Sequence, residues 1–326
     1  MKKKGIALVE RQYLFPFVLI TSLFFLWGFA HAILDVLNKH FQELLTITRT
    51  HSAMIQATMY MGYFIMAIPA GLFINRHGYR KGVVLGLLLY GIGSLLFIPG
   101  QYIASFNMFL FSLFVIGCGL TFLETAANPY VTELGARETA ASRLNFAQSF
   151  NGLGCIFAPI LTGLLLFSDE EKGASGNVAL PYAVMGVIVL LAALAFMRVR
   201  LPEIPHEEEV DSEGHRVGLW AHKLFVFGLV ALFAYEVSEI SINSFFINYV
   251  TEVGWMNARD ASVVLSFGGL GLFMCGRFAG SWIMRYIRAE KVLFVCAMGT
   301  VVSTSLVVLN LGILSLIALF LGYAFE

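Results

Sequence analysis

Long apolar stretches follow one another along almost the whole chain, separated by short polar loops. Nine of them are long enough to cross about 30 Å of hydrocarbon as a helix. They span residues 14–37, 53–75, 82–100, 108–130, 144–167, 181–200, 222–250, 261–284 and 290–309. Because a lipid-exposed backbone must satisfy its hydrogen bonds within its own segment, these windows predict an all-α, polytopic membrane protein.

The composition excludes several other classes of protein. Hydrophobic residues make up 58% of the chain and charged residues 13%, which is too apolar for a water-soluble globule. Lys and Arg fall in short loops and form no nucleic-acid-binding patch. The four cysteines lie in apolar runs without CxxC spacing, so neither a disulfide framework nor a metal site is predicted. The chain carries no nucleotide-binding or hydrolytic motif, so we expect no enzyme activity and no cofactor, with an ion gradient as the energy source.

A polar break and the C-terminal run indicate how the chain is divided. Residues 201–221 contain two prolines and the acidic run Glu207 to Glu209, and they separate six apolar windows from the rest. We predict an N-terminal six-helix half in 1–200, a cytoplasmic linker in 201–221 and an incomplete C-terminal half in 222–326. A tenth apolar run opens at Leu311 and stops at Glu326, which we interpret as a sequence truncated within a span.

The distribution of basic residues predicts the orientation. Of the 21 Lys and Arg, 16 lie in the N-terminus and the loops after even-numbered windows, four lie in the other loops, and Arg277 lies within a window. Basic loops face the cytoplasm, so both the N-terminus and the linker are predicted inside.

A short internal repeat supports two related halves. Gly, Ile and Arg recur at a shift of 209 residues at the inner ends of the second and eighth windows. The two copies are Gly71, Ile74, Arg76 and Gly280, Ile283, Arg285. Two parallel six-helix halves joined by a cytoplasmic linker resemble the layout of the major facilitator superfamily, which places its solute site at the midplane between the halves.

The first copy also resembles the inner-loop signature of that superfamily. The resemblance implies a gating loop formed by Gly71, Arg76, Gly78, Arg80 and Lys81. Asn75 stands where an Asp is usual, which weakens a charge pair thought to latch the inner gate. An ordinary basic inner loop is the alternative interpretation.

Two acidic residues within the windows are candidates for proton handling, because a charge in lipid is costly. Asp35 lies late in the first window, where it can also reach interfacial water. Glu124 lies in the fourth window with no Lys or Arg at helical spacing on its own helix. An apolar environment favours the protonated carboxyl, which suits uptake and release of a proton; a structural hydrogen bond is the alternative.

Amides and further acids are candidates for binding a solute. Asn145, Gln148 and Asn151 recur every three residues, and amides combine donor and acceptor as sugar hydroxyls require. Hydrogen bonding between helices is the alternative. In the seventh window Glu236, Glu239 and Asn243 share one helical face. Either glutamate can take part in proton handling, and a pair of glutamates exposed to water is the alternative. Trp27, Tyr60, Tyr63 and Phe150 can stack on a sugar ring or serve as packing and interface anchors.

Three strings carry a closer resemblance. They are Phe24 to Gly28 ahead of Asp35, Leu123 to Tyr130, and Arg143 to Asn151. These strings resemble the bacterial L-fucose:proton symporter family. The similarity to that family extends over nearly the whole chain. The resemblance implies that Asp35 and Glu124 couple protons and recognise sugar, and that Gln148 and Asn151 contact the sugar.

Two departures widen the expected substrate class. Leu34 precedes Asp35 where the family has Asn, with His31 nearby, and the seventh window around Glu239 looks more like related glucose/galactose transporters. We therefore predict proton symport of a hexose or deoxyhexose by a multi-pass monomer of the bacterial inner membrane, with sugar, proton and lipid as its partners. The alternatives are proton-driven export of another small molecule, which a weak Gly154 to Pro159 motif permits, and a non-transporting sugar sensor.

Overall fold

A computed structural model describes residues 7–44, 49–103, 105–167, 179–199, 219–257, 260, 264–309 and 313–325. Side chains are described for these residues except 35–44, 49–53, 159, 160, 162–167, 219, 239–248, 265, 266, 270 and 313. Throughout these ranges the backbone is almost entirely helical and contains no strand, which confirms the all-α prediction.

The described α-helices are numbered here in chain order. They are α1 (Leu14–Leu44), α2 (Arg49–His77), α3 (Tyr79–Leu95), α4 (Phe97–Ile103), α5 (Phe106–Glu133), α6 (Ala140–Phe167), α7 (Ala179–Arg198), α8 (Lys223–Glu252), α9 (Leu270–Ile283), α10 (Ala289–Val308) and α11 (Ile313–Phe325). A π-helical segment, Val264–Gly269, precedes α9.

The third apolar window, 82–100, is the clearest departure from one helix per window. In the structure α3 ends at Leu95 and α4 begins at Phe97. Pro99 has no N–H to donate to the carbonyl of Leu95, and its ring crowds that residue, so the helix is interrupted at this point.

The helices are apolar on surfaces that are not packed within the protein. Six described segments are long and apolar enough to cross a membrane: Arg11–Leu34, Met54–His77, Tyr79–Ile103, Phe106–Glu133, Ala179–Arg198 and Ala289–Val308. On α2, Phe64 is 85% exposed and Ile68 is 75% exposed. Such surfaces are unfavourable in water and suit acyl chains. The chain is therefore a multi-pass membrane protein.

Helix packing in the N-terminal part centres on α5. This helix packs along α2 and α3, while α1 packs along α6 and α3 along α7. The α1–α6 contact is backbone to backbone: a Cβ on Gly28 would lie 2.1 Å from Asn151 O, and one on Gly154 would lie 2.2 Å from Phe25 O. Glycine at these positions allows the two helices to touch.

The helices form two compact units, Met1–Ile204 with Leu272–Glu326, and Pro205–Gly271. The predicted halves 1–200 and 222–326 stay a prediction. Residues 200–218, which hold most of the predicted linker 201–221, lie outside the described part of the chain.

Candidate functional site

An aromatic cluster lies between α1 and α2. The indole Nε1 of Trp27 donates to Tyr63 Oη at 2.9 Å, and His31 Nε2 lies 3.0 Å from the same oxygen. The His31 ring packs against the rings of Trp27, Tyr60 and Tyr63, at centroid distances of 5.9, 6.2 and 5.8 Å. Spacings of four residues on α1 and three on α2 put these side chains on facing surfaces.

Glu124 of α5 lies beside this cluster. Its half-buried side chain borders a narrow cleft that Leu23, Phe24 and Trp27 line from α1. The carboxyl is also within electrostatic range of the Tyr63 hydroxyl. The carboxyl thus borders a cleft lined by apolar and aromatic side chains, and its role in proton coupling stays a prediction.

The three amides predicted on α6 have different neighbours. Asn145 Nδ2 donates to the carbonyl of Arg277 on α9 at 2.8 Å, and Gln148 Nε2 donates to Asn128 Oδ1 on α5 at 3.3 Å. The side-chain oxygen of Asn151 accepts a weak bond, 3.9 Å long, from a thiol one turn later on α6. Asn145 and Gln148 thus bond between helices, and sugar binding by the three amides stays a prediction.

A cavity of about 450 Å³ opens between α6, α9, α10 and α11. Its polar lining comes from Asn145, Gln148, Arg277 and Glu290. The guanidinium of Arg277 lies 4.3 Å from the centroid of the Phe273 ring, a cation–π contact. The volume falls within the usual range for ligand pockets, and amides with a guanidinium can bond a small polar solute.

Helices α6 and α9 are held together where α6 begins and α9 ends. Ser142 Oγ donates to Ser281 O at 2.5 Å, and Ser281 Oγ donates to Ser142 O at 2.8 Å. Both serines are buried. One turn away, Phe278 of α9 packs edge-on against Phe146 and Phe150 of α6, with ring centroids 5.6 and 6.1 Å apart. This serine and phenylalanine contact is called the α6–α9 closure below.

The residues of the predicted gating loop lie at the end of α2, in the turn at Gly78 and at the start of α3. Gly78 has φ +84°, a conformation that favours glycine. Arg80 donates to two carbonyls in the last turn of α7, with its Nε bond 3.1 Å long. A cation there satisfies helix-end carbonyls and complements the helix dipole. Arg76 and Lys81 are exposed, and a Cβ on Gly71 would meet no atom within 4 Å. Their gating role stays a prediction.

A fully buried arginine joins α6 to the end of α5 and to the N-terminal segment. Arg143 is 0% exposed. Its acceptors are the carbonyls of Leu8, Val131, Thr132 and Ala136 and the hydroxyl of Thr139. Carbonyls at the end of a helix lack intrahelical partners, so Arg143 satisfies groups that would otherwise be buried without hydrogen bonds.

Some predicted site residues have side chains outside the described residues. They are Asp35 in α1 and Glu239 and Asn243 in α8, whose backbones are helical. Glu236 is exposed on α8. The roles of these four residues stay predictions.

Metal-ligating residues do not cluster in the described part of the chain. There, no three or more His, Cys, Asp or Glu side chains are grouped so that they could hold a metal ion. The four cysteines are present as thiols.

Three features have specific partners in the structure but no role predicted from the sequence: His31, Arg143 and the Ser142–Ser281 pair. Ser142, Asn145 and Ser149 recur at three- and four-residue steps, a polar stripe that could have indicated a second contacting helix. For Arg143 the signals were a basic residue just before a predicted span and its place at the start of the string that resembles the symporter family.

A bundle of membrane-spanning helices that encloses ionisable and amide side chains has the architecture of a membrane transporter. The model of the Major Facilitator Superfamily matches residues 17–325, and the chain belongs to that superfamily.

Within the superfamily, the chain is similar to sugar transporters and to a solved transporter structure. A glucose/galactose transporter of Brucella abortus biovar 1 (strain 9-941) is 36% identical over 292 residues, covering 87% of this chain and 70% of the relative. An L-fucose-proton symporter of Escherichia coli (strain K12) is 34% identical over 341 residues, covering 97% and 78%. The crystal structure of the superfamily transporter FucP in the outward conformation matches with a TM-score of 0.79 at 32% identity, covering 97% of this chain and 82% of that one.

Proposed function

We propose that this chain is a symporter that carries a hexose or deoxyhexose together with a proton across the bacterial inner membrane. The observation that carries the proposal is the position of Glu124, a half-buried carboxyl in an apolar cleft beside Trp27 and the Tyr63 hydroxyl. Similarity to the L-fucose-proton symporter and the glucose/galactose transporter supports the substrate class.

The orientation belongs to the same proposal. The helix ends that carry Arg76, Arg80 and Lys81 face the cytoplasm, as the distribution of Lys and Arg predicts, and the N-terminus is inside. In this orientation the α6–α9 closure seals the inner side, and the substrate path opens outward. Similarity to a structure in the outward conformation supports this state.

Transport then proceeds by alternating access. Asp35 and Glu124 take up the proton from outside and become neutral, while Gln148 and Asn151 bind the sugar hydroxyls with help from Asn145, Glu239 and Asn243. The α6–α9 closure opens, and both solutes leave inside. The chain acts as a monomer in the bilayer, driven by the proton gradient without a cofactor, and it catalyses no chemical reaction.

Proton movement coupled to sugar tests the proposal directly. The protein is reconstituted into proteoliposomes, and external pH is recorded after adding L-fucose, glucose or galactose. We expect alkalinisation outside with at least one sugar, and its loss in Glu124→Gln. Glu138→Gln is the matched control, because Glu138 is an exposed glutamate in the turn before α6. A normal proton signal from Glu124→Gln would contradict the role of Glu124 in proton coupling.

Sugar binding separates symport from proton-driven export of another compound. A sugar that binds the folded protein raises its melting temperature. We expect stabilisation by at least one of the three sugars, whereas an exporter of unrelated compounds should ignore all of them.

A further inference from the structure

The hydroxyl of Tyr63 is shared by two side chains of α1. Trp27 Nε1 lies 2.9 Å from Tyr63 Oη, and His31 Nε2 lies 3.0 Å from it. Trp27 and His31 are themselves in edge-on ring contact. One oxygen of α2 therefore bonds a donor-only group and a titratable group at the same time.

The direction of the hydrogen bond between His31 and Tyr63 depends on the tautomer and protonation of His31. An indole N–H only donates, so Tyr63 Oη must accept from Trp27. A neutral His31 whose Nε2 carries no hydrogen accepts the Tyr63 O–H. A protonated His31 donates its Nε2–H to Tyr63 Oη, and the Tyr63 hydroxyl hydrogen must then turn to another acceptor.

Glu124, the carboxyl proposed to bind the transported proton, approaches from α5 and interacts electrostatically with Tyr63. Asp35 follows His31 by four residues on α1, and its side chain lies outside the described residues. Among the side chains that the structure describes, the other titratable groups facing this region are Tyr60 of α2, Tyr90 of α3, which donates to Leu26 O, and Cys155 of α6, which donates to Gly28 O.

We propose that His31 is a further proton-binding residue of the symporter, coupled to Glu124 through the Tyr63 hydroxyl. Protonation of His31 releases that hydroxyl to donate toward the Glu124 carboxylate, and after loss of the proton the hydroxyl donates to His31 again. Histidine suits this role because its ring nitrogen accepts a hydrogen bond when unprotonated and donates one when protonated. The inference rests on the proposed proton symport but adds a residue that symport by Glu124 does not require.

The pH profile of transport in proteoliposomes tests this coupling. Proton uptake and sugar uptake are measured from pH 5 to pH 8.5 with L-fucose, glucose and galactose for His31→Asn, Tyr63→Phe and the double variant. We expect each single variant to move the midpoint of the profile by about one pH unit, the size of a hydrogen-bonded coupling. The double variant should move it no further than a single one, because both changes break the same connection.

Tyr90→Phe is the matched control. It also removes a buried tyrosine hydroxyl that bonds α1, at 3.3 Å from Leu26 O, but it leaves the His31–Tyr63 pair intact. We expect this variant to keep the wild-type midpoint. If His31→Asn does not fold, Tyr63→Phe alone reports the coupling, since it keeps the ring and removes only the hydroxyl.

The outcomes distinguish this inference from the function on which it rests. Sugar-driven proton uptake in the wild type, with an unchanged profile in both single variants or additive shifts in the double variant, overturns the role of His31 and leaves symport standing. The absence of sugar-driven proton uptake in the wild type overturns the proposed function itself.

Discussion

Replacing Ser142 and Ser281 by cysteines is expected to lock α6 to α9 and stop transport. The two hydroxyl oxygens are 3.2 Å apart. A disulfide needs about 2.05 Å between its sulfurs, so the sulfurs must approach by about 1 Å, within reach of small side-chain rotations. A covalent bond at the α6–α9 closure prevents the helices from separating, and the solute then cannot leave inside.

The native contact itself is weak enough to open during a transport cycle. Each serine hydroxyl carries one hydrogen, so the pair makes two hydrogen bonds, to Ser281 O and Ser142 O. At about 0.6 kcal/mol for each bond in a membrane protein, they contribute about 1.2 kcal/mol. This corresponds to about an eightfold change in the ratio of closed to open protein.

Sugar uptake into proteoliposomes under oxidising and reducing conditions is the assay. The variants are made in a background with the four native cysteines replaced, and cross-linking is quantified by thiol labelling. Oxidation should reduce uptake in proportion to the cross-linked fraction, leave sugar binding from outside intact, and be reversed by a reductant.

A second cysteine pair provides the control. Ser149 lies seven residues, about 10 Å, further along α6 than Ser142, so Ser149→Cys with Ser281→Cys is too distant to form a disulfide. Oxidation should leave uptake by this control unchanged. Full uptake by a completely cross-linked Ser142/Ser281 pair would refute the role of the α6–α9 closure.

Three stability predictions can be checked by thermal unfolding in detergent. Gly28→Ala should cost about 1–3 kcal/mol because its Cβ would lie 2.1 Å from a backbone oxygen of α6. Gly78→Ala should cost about 1–3 kcal/mol, since φ is +84° there; for both, Gly71→Ala is the control, with no atom within 4 Å of its Cβ, and an equal loss there would contradict the argument. Arg143→Lys should cost about 2 kcal/mol or more, because buried carbonyls lose their donors. Exposed Arg137→Lys should change stability by less than about 0.5 kcal/mol.

The helical architecture could be predicted from the sequence because hydrophobic length is a local property. The windows 108–130 and 290–309 coincide closely with α5 and α10, which run from Phe106 to Glu133 and from Ala289 to Val308. Hydropathy did not detect the interruption between α3 and α4, since Pro99 lies in an apolar context and acts through the carbonyl four residues earlier.

The candidate site could be predicted only in part. A carboxyl within a span, such as Glu124, stands out because a charge there is costly whatever its neighbours are. The partners of a polar side chain depend on the neighbouring helices. Sequence spacing grouped Asn145 with Gln148, whereas the structure pairs the first with the Arg277 carbonyl on α9 and the second with Asn128 on α5.

The sequence by itself determined that this chain spans a membrane many times, which ionisable groups lie within the spans, and which superfamily it resembles. These properties follow from hydrophobic length, from the cost of charge in lipid and from local motifs. Only the tertiary structure decided that Tyr63 joins His31 to Trp27 and that Ser142 bonds Ser281. Each contact joins residues 32 to 139 positions apart, brought together by helix packing that no local pattern specifies.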